Sequence, residues 1–304
     1  MSASSLVYWL LIAGSKKLRQ YIEDGNYDTV ICTHIFAAVM LTNVQKKSPL
    51  PVQTGFVSTD HTIYPGIRSS ALDMNFVADE DLVETSNKYG DPRSRAISTG
   101  IPIGRSFFQE YDKAEAKREL QIGENNAHLL VMSGSMGGGP VEKIMQALAK
   151  DLPEKAEITV ICGTNKILYD SLTFLYGENP RIHVVGYTDK MALYMASADL
   201  SLTKPGGISV TEGAAMNLPM IFANFIQGCE QYNVDFFVDM GAAATAKTVE
   251  ELATKSIELL QSPAEIRAME ERLRQYNQPD GAVNIYKEFN NAKENDIPDL
   301  GKER

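Results

Sequence analysis

The sequence has few cysteines and no excess of positive charge. Its three cysteines, Cys32, Cys162 and Cys229, lie far apart and lack the close Cys or His spacing of a zinc site. They also suggest no disulfide framework, which fits a reducing cytosol. Lys and Arg number 29 against 39 Asp and Glu, giving a net charge of −10. This charge argues against a nucleic-acid partner and against strong generic attraction to anionic lipid.

The chain also lacks a long apolar run. The apolar stretch at residues 6–14 is too short to span a bilayer, and no basic segment precedes it as a signal peptide requires. Apolar residues recur at helical spacing from Leu6 to Ile22 instead, which predicts a helix that either packs in a core or lies at a membrane interface. We therefore expect a cytoplasmic protein with, at most, peripheral contact at the inner face of the membrane.

From residue 29 onward, short β-branched runs alternate with amphipathic stretches, a pattern typical of parallel sheets covered by helices. In the first part we predict strands at residues 29–33, 52–58, 73–78 and 96–99, with helices near 35–46 and 79–89. In the second part the predicted strands are 127–132, 157–162, 181–185, 199–202 and 219–222. The predicted helices there lie near residues 112–120, 140–150, 165–176, 189–197, 208–216 and 229–239, and more follow residue 248. This second part reads as a doubly wound unit of the Rossmann type.

A break in the pattern at residues 100–107 marks the predicted domain boundary. Pro102 and two glycines interrupt regular structure there, before a charged helix. We therefore predict an N-terminal domain over residues 1–106 and a C-terminal domain over residues 107–304.

The most specific local signal is the loop S-G-S-M-G-G-G-P at residues 133–140, between a predicted strand and a predicted helix. In such a loop the backbone N–H groups at the helix N-terminus can point at a ligand, and the glycines let a phosphate or diphosphate approach closely. A tight turn without a ligand is the alternative interpretation. A dinucleotide site is disfavoured, because the glycines miss the G-x-G-x-x-G spacing and the next strand ends without a carboxylate.

Two further polar clusters follow later strands of the same sheet. Residues 203–219 contain Gly206 and Gly207 at a turn, and Glu212 about one helical turn on, where a carboxylate can accept hydrogen bonds from two ribose hydroxyls. A helix-dipole role for Glu212 is the alternative. Residues 225–233 offer polar groups for sugar hydroxyls. Loops at the carboxyl ends of one parallel sheet can converge on a single crevice.

Residues 127–245 resemble the C-terminal domain of the family 28 glycosyltransferases, specifically the diacylglycerol glucosyltransferase and monogalactosyldiacylglycerol synthase subfamily. The resemblance lies in K-P-G-G-I-S-V-T-E at residues 204–212 and Q-G-C-E-Q-Y-N at 227–233, where the subfamily commonly has K-P-G-G-x-T-x-x-E and P-G-Q-E-x-x-N. The first part is similar to the same family through D-T-V-I-C-T-H at 28–34, S-T-D-H at 58–61 and T-G-I-P-I at 99–103.

The resemblance implies an α/β fold of the GT-B type, with two Rossmann-like domains of which the first is incomplete. It implies that the second domain binds a UDP-sugar, with the diphosphate at residues 133–139, the ribose at Glu212 and the uracil at Tyr187. The implied donor-binding residues are Ser133, Gly134, Ser135, Gly137, Gly138, Tyr187, Lys204, Gly206, Gly207, Ser209, Glu212, Glu230 and Gln231. The chain departs from the family pattern at Cys229, which bears on the sugar contacts.

The activity implied by the resemblance is an inverting transfer of a hexose, from UDP-glucose or UDP-galactose, to a lipid hydroxyl such as that of diacylglycerol. It implies no metal and no cofactor other than the donor substrate. The alternatives are N-acetylglucosamine transfer to a polyprenyl-linked acceptor, epimerisation of a nucleotide sugar, and UDP-sugar binding without turnover.

A general base must accept the proton of the acceptor hydroxyl. The family loop S-x-G-x-G-H, associated with that base, has no counterpart in this sequence. The remaining candidates are Asp60 and His34, after predicted strands of the first domain; for His34 a purely structural role is the alternative. Because leading strands of the family fold are missing, we also expect poor solubility or self-association through residues 29–58.

Overall fold

The structure, a computed structural model, describes residues 6–64, 67, 70–89, 94–132, 134, 140–223 and 229–295. The chain divides into two compact units. The first comprises the residues up to Pro102 together with those from Pro279, and the second comprises Ile103–Gln278. Each unit is built on a parallel β-sheet.

The first unit contains four parallel strands in sequence order. They are β1 (Thr29–Cys32), β2 (Gln53–Val57), β3 (Met74–Val77) and β4 (Arg95–Ser98). Its first three helices are α1 (Leu6–Asp24), α2 (Ile35–Lys47) and α3 (Asp81–Tyr89). Ile22 of α1 is buried in one cluster with Leu41 of α2 and Phe56 of β2, so the end of α1 packs in a core. Within the part of the chain that the structure describes, no helix is both long and apolar enough to cross a membrane.

The second unit is a six-stranded, fully parallel sheet. Its strands are β5 (Ala127–Met132), β6 (Ala156–Ile161), β7 (Ile182–Val185), β8 (Leu200–Thr203), β9 (Met220–Phe222) and β10 (Ala243–Thr245). They lie in the spatial order β10-β9-β8-β5-β6-β7, so the chain begins in the centre, builds one half of the sheet and returns to build the other. This is the doubly wound order in which the direction of winding reverses between β5 and β8.

Helices connect these strands and cover the sheet. They are α4 (Lys113–Glu119), α5 (Val141–Lys150), α6 (Lys166–Tyr176), α7 (Met191–Ser197), α8 (Gly207–Ala215), α9 (Cys229–Asp239), α10 (Val249–Leu260) and α11 (Pro263–Tyr276). The central strands are buried on both faces, as an apolar run such as Leu129–Leu130–Val131 requires. The predicted strands are confirmed to within one or two residues at each end, whereas β10 was not predicted, because Ala-Ala-Thr carries little β-strand signal.

The last helix, α12 (Gly281–Asn295), differs from the sequence-based division of the chain. We expected all of residues 107–304 in the second domain, but α12 belongs to the first unit. Its Ile285 and Phe289 pack against Val57 and Phe76, and the rings of Phe76 and Phe289 lie 5.4 Å apart. A side chain at Gly55 would lie 2.7 Å from Phe289, so this glycine leaves the space that the ring fills. The helix thus returns to cover a face of the first sheet.

Candidate functional site

The reversal point of the second sheet brings two glycine-containing loops together. Strands β5 and β8 are hydrogen-bonded neighbours in parallel, with Met132 paired to Thr203 at their carboxyl ends. The chain leaves β5 toward Gly134 and leaves β8 toward Gly206, so both loops begin side by side. Ligands of open α/β sheets bind outside the carboxyl ends of the strands at such a reversal point. The structure therefore places the candidate site here.

The N-terminus of α8 follows the loop that leaves β8 at this point. Gly206 is the N-cap residue, and no described side chain caps the helix. The first N–H groups of a helix have no intrahelical acceptor, and they suit a phosphate oxygen. Among the described residues, a side chain at Gly206 would meet no atom within 4 Å, and the same holds at Gly134, whose φ of +77° favours glycine. Gly207 and Ser209 lie in the same first turn of α8.

Glu212 lies on α8, just beyond that turn. Partial burial raises the pKa of its carboxyl to about 7, and no hydrogen bond or ion pair to another described residue offsets this desolvation. A carboxylate that is desolvated without a partner costs free energy, which a ligand with hydroxyl donors can recover. This arrangement is compatible with ribose recognition.

Lys204 and Glu230 are in direct contact. The Lys204 Nζ atom lies 2.6 Å from Glu230 Oε1 and joins the loop after β8 to the first turn of α9. The structure therefore brings together two residues that the sequence assigned to the diphosphate and to the sugar. In the next turn of α9, the buried Asn233 donates from Nδ2 to the Pro205 carbonyl oxygen at 2.9 Å.

Two of the remaining donor-side candidates, Tyr187 and Gln231, lie in the part of the chain that the structure describes. Tyr187 follows β7 at the sheet edge and is 75% exposed. A cavity of about 310 Å³ lies beside the ends of β6 and β7, lined by Gly163, Thr164, Lys166, Tyr169 and Gly186. Gln231 is directed along α9, donating from Nε2 to Asp235 at 2.7 Å. Ser133, Ser135, Gly137 and Gly138 lie outside the described residues, as does Gln227.

In the first unit, His34 and Asp60 follow the neighbouring strands β1 and β2. His34 is the N-cap of α2, and its Nδ1 accepts a hydrogen bond from the Phe36 N–H at 3.1 Å. This N-cap hydrogen bond is a structural role of the kind that the sequence left open as the alternative for His34. Asp60 accepts a hydrogen bond from the Tyr64 hydroxyl through Oδ2. Both stay predictions as catalytic residues.

Asp79 is a partner of His61 that no motif in the sequence predicted. Asp79 follows β3, and its Oδ2 lies 3.1 Å from Nδ1 of the buried His61. Within the S-T-D-H turn itself, the Ser58 hydroxyl donates to the carbonyl oxygens of Asp60 and Thr62. Only the pairing of β2 with β3 brings His61 and Asp79 together, so spacing along the chain gave no signal.

A second polar cluster lies at the opposite, amino end of the second sheet. Asp199 accepts hydrogen bonds from Lys113 at 2.9 Å, from Lys117 at 3.0 Å and from the His128 backbone N–H at 2.8 Å. The His128 ring is fully buried between Thr159 and Ser197, and this desolvation lowers its pKa to about 4. Since these groups satisfy one another away from the glycine loops, we assign them a structural role.

Within the described ranges, no group of three or more His, Cys, Asp or Glu side chains could hold a metal ion.

Two family models match the chain. Residues 128–289 match the glycosyltransferase family 28 C-terminal domain, and residues 2–103 match monogalactosyldiacylglycerol (MGDG) synthase. The first match covers the whole of the candidate site, and the second covers most of the first unit.

Known proteins similar to the chain include a processive diacylglycerol beta-glucosyltransferase of Bacillus licheniformis, 29% identical over 264 residues, which are 86% of this chain and 68% of that protein. Among solved structures, MurG of Acinetobacter baumannii is similar with a TM-score of 0.65 and 16% identity, over 90% of this chain and 76% of MurG. HepE of Anabaena, in complex with UDP and glucose, is similar with a TM-score of 0.60 and 15% identity, over 92% and 80% of the two chains. These structures show the GT-B fold.

Proposed function

Because the chain belongs to the family 28 glycosyltransferases, we propose that it transfers a hexose from UDP-glucose or UDP-galactose to the hydroxyl group of a diacylglycerol-like lipid. The observation that carries the donor half of this proposal is the pairing of β5 with β8, so that the loops leading to Gly134 and to the N-terminus of α8 begin side by side. The acceptor half is supported by similarity to diacylglycerol glucosyltransferases.

In the proposed complex, the diphosphate lies against the first turn of α8. The N–H groups of Gly207, Ile208 and Ser209 supply donors, and Lys204 supplies a positive charge. The ribose hydroxyls donate to Glu212 one turn further along the helix. The proposed uracil position is the loop of Tyr187, and the hexose is directed toward Glu230 and Gln231. No metal ion is part of the proposal, because helix N–H groups and Lys204 can stabilise the leaving diphosphate.

The proposed reaction is a single displacement. The acceptor hydroxyl oxygen attacks the anomeric carbon, and the bond between that carbon and the β-phosphate oxygen breaks. The electron pair leaves with UDP, and the hydroxyl proton passes to a base, for which His34 and Asp60 are the candidates. Attack from the face opposite the leaving group inverts the anomeric centre, which gives a β-glycoside from an α-linked donor.

A calorimetric titration followed by a turnover assay tests the proposal. UDP, UDP-glucose, UDP-galactose and UDP-N-acetylglucosamine are titrated separately, and UDP release is then measured with diacylglycerol present. We expect binding of UDP and of one UDP-hexose, and UDP release that depends on the lipid. Binding without release would favour a donor-binding protein without turnover. Preference for UDP-N-acetylglucosamine, with release only on a polyprenyl-linked acceptor, would favour the other transferase, and no binding at all would overturn the assignment.

Self-association through the first sheet is a further part of the proposal. The Asp28 carbonyl oxygen accepts from the Gln53 N–H at 3.0 Å, so the alternate residues Thr29 and Ile31 direct their backbone groups away from β2, along the sheet edge. Ile31 is 47% exposed on this edge. We expect dimers or larger species by size-exclusion chromatography with light scattering, and a shift toward monomer in Ile31→Lys. A wild-type monomer at all concentrations would contradict it.

A further inference from the structure

Among the described residues, two contacts of different kinds join the loop after β8 to the first turns of α9. One is the ion pair of Lys204 with Glu230, whose side chains are 40% and 17% exposed. The other is the hydrogen bond from the Asn233 side chain to the Pro205 carbonyl oxygen. Asn233 is fully buried, so its amide group contacts the protein and does not reach a ligand at the surface.

The two contacts lie on one side of α9, because residues three apart on a helix are neighbours on its surface. Asn233 fixes the second turn of α9 to Pro205, and Glu230, one turn earlier, is thereby held next to Lys204. Pro205 also directly precedes Gly206, the N-cap of α8. Asn233 therefore sets the position of the α9 turn relative to the loop that leads into α8.

The N-terminus of α8 is held by separate contacts. The Thr211 hydroxyl donates to the Gly207 carbonyl oxygen at 2.7 Å, and Val210 and Ala214 pack in the cluster with Phe222 and Phe237. These contacts do not involve the Asn233 amide. Loss of that amide should displace the start of α9 while the first turn of α8 keeps its geometry.

We propose that Asn233 is a positioning residue for hexose recognition, which holds the Glu230 turn of α9 against the Lys204 loop. The inference rests on the proposed function, in which α8 binds UDP and α9 contacts the hexose. Hexose recognition then depends on Asn233, and recognition of UDP does not. A residue that only stabilised the fold would affect both ligands alike.

The test compares UDP and UDP-hexose affinity in Asn233→Ala. Because the variant loses a buried hydrogen bond, we expect UDP-hexose affinity to fall roughly tenfold, whereas UDP affinity should stay within about threefold of the wild type. The hexose is whichever of UDP-glucose and UDP-galactose the wild type binds more tightly. The isosteric Asn233→Asp replaces the donor with an oxygen facing the Pro205 carbonyl, and we expect the same selective loss.

Ser201→Ala is the matched control. The Ser201 hydroxyl also makes a buried hydrogen bond to a proline carbonyl, that of Pro219, at 3.2 Å within the same unit. We expect both affinities unchanged in this variant. Thermal unfolding and circular dichroism report whether each variant is folded, independently of ligand binding, and Asn233→Ser is used if the alanine variant is not folded.

The outcomes separate the two proposals. Equal loss of UDP and UDP-hexose affinity in folded Asn233 variants, or no loss of either, would overturn the positioning role while leaving the proposed function intact. A wild-type protein that binds neither ligand overturns the proposed function, and the positioning role with it.

Discussion

At the scale of single residues, substitution of Gly206 is expected to affect UDP affinity more than stability. Its φ of −70° is accessible to any residue, and a methyl group there would meet no atom of the described part of the chain within 4 Å. We therefore expect Gly206→Ala to change the free energy of unfolding by about 1 kcal/mol or less. The same methyl group would occupy the space in which a diphosphate approaches the helix, so UDP affinity should fall roughly tenfold. Urea unfolding and calorimetric titration measure the two effects.

Gly104 provides the matched control for this substitution. It is the N-cap of the short 3-10 helix over Arg105–Phe108 in the same unit, with φ −62° and ψ 142° against −70° and 139° at Gly206. Gly104→Ala should alter stability to a similar extent and leave UDP affinity unchanged. Equal UDP affinity in the two variants would argue against a diphosphate at α8.

The ionised carboxylate of Glu212 is expected to lower the stability of the protein and to strengthen UDP binding. The pKa of its carboxyl is about 7 in the folded protein against an ordinary 4.5. Between these values the folded state holds more protons than the unfolded state, so the free energy of unfolding falls as pH rises through this window, by roughly 3 kcal/mol in full. Glu212→Gln should remove this loss and raise stability at pH 8, as measured by urea unfolding.

The same substitution should weaken UDP binding, because ribose hydroxyls donate best to an ionised carboxylate. Wild-type UDP affinity should increase from pH 6 to pH 8 as Glu212 loses its proton, and Glu212→Gln should abolish this increase. A variant that is neither more stable at pH 8 nor weaker in UDP binding would contradict the assignment of Glu212.

At the scale of elements, the buried His128 at the amino end of β5 gives stability a pH dependence opposite to that from Glu212. Burial between Thr159 and Ser197 lowers the pKa of His128 to about 4, against an ordinary 6.5. Here the unfolded state holds more protons, so stability is fully present above pH 6.5 and falls by roughly 3 kcal/mol as pH decreases to 4. His128→Gln should flatten this loss in urea unfolding between pH 7 and 5. An unchanged slope would mean that His128 is not the titrating group.

The S-T-D-H turn shows how elements assemble polar groups that are distant in sequence. His61 follows β2 and Asp79 follows β3, and the parallel register of Phe56 with Asn75 brings their loops together. The motif predicted the turn and Asp60, but the carboxylate partner of His61 depends on which strands pair. Which strands pair depends on residues far apart in the sequence, because pairing is specified when apolar faces are buried together.

At the scale of the whole molecule, α12 makes the first unit discontinuous in sequence. Phe289 is buried against Phe76, whereas Tyr286 on the same helix is 69% exposed. Phe289→Ala should lower the free energy of unfolding by about 3–5 kcal/mol through cavity formation. Tyr286→Ala should change it by less than about 0.5 kcal/mol. Denaturant unfolding measures both, and similar values for the two variants would contradict the packing of α12 on the first sheet.

UDP affinity gives the complementary measurement. The proposed donor site consists of residues in the second unit, so folded Phe289→Ala should retain wild-type UDP affinity. The sequence did not predict the return of α12, because an amphipathic helix reports that one face is buried and not which sheet covers it.

The amino-acid sequence by itself determined the local elements and the location of the chemistry. Alternating β-branched and amphipathic runs specified parallel sheets, and glycines at strand ends marked the loops after β5 and β8. The family motif singled out Lys204, Glu212 and Glu230. These features are local, because periodicity and turn chemistry depend on residues a few positions apart.

Only the tertiary structure decided which of these residues meet. Several contacts of the site join segments that are far apart in the chain. They are the pairing of β5 with β8, the ion pair of Lys204 with Glu230, and the hydrogen bond from Asn233 to Pro205. The same holds for His61 with Asp79 and for α12 on the first sheet. Such contacts follow from the order in which strands pair and from the faces that helices bury, which are properties of the whole fold.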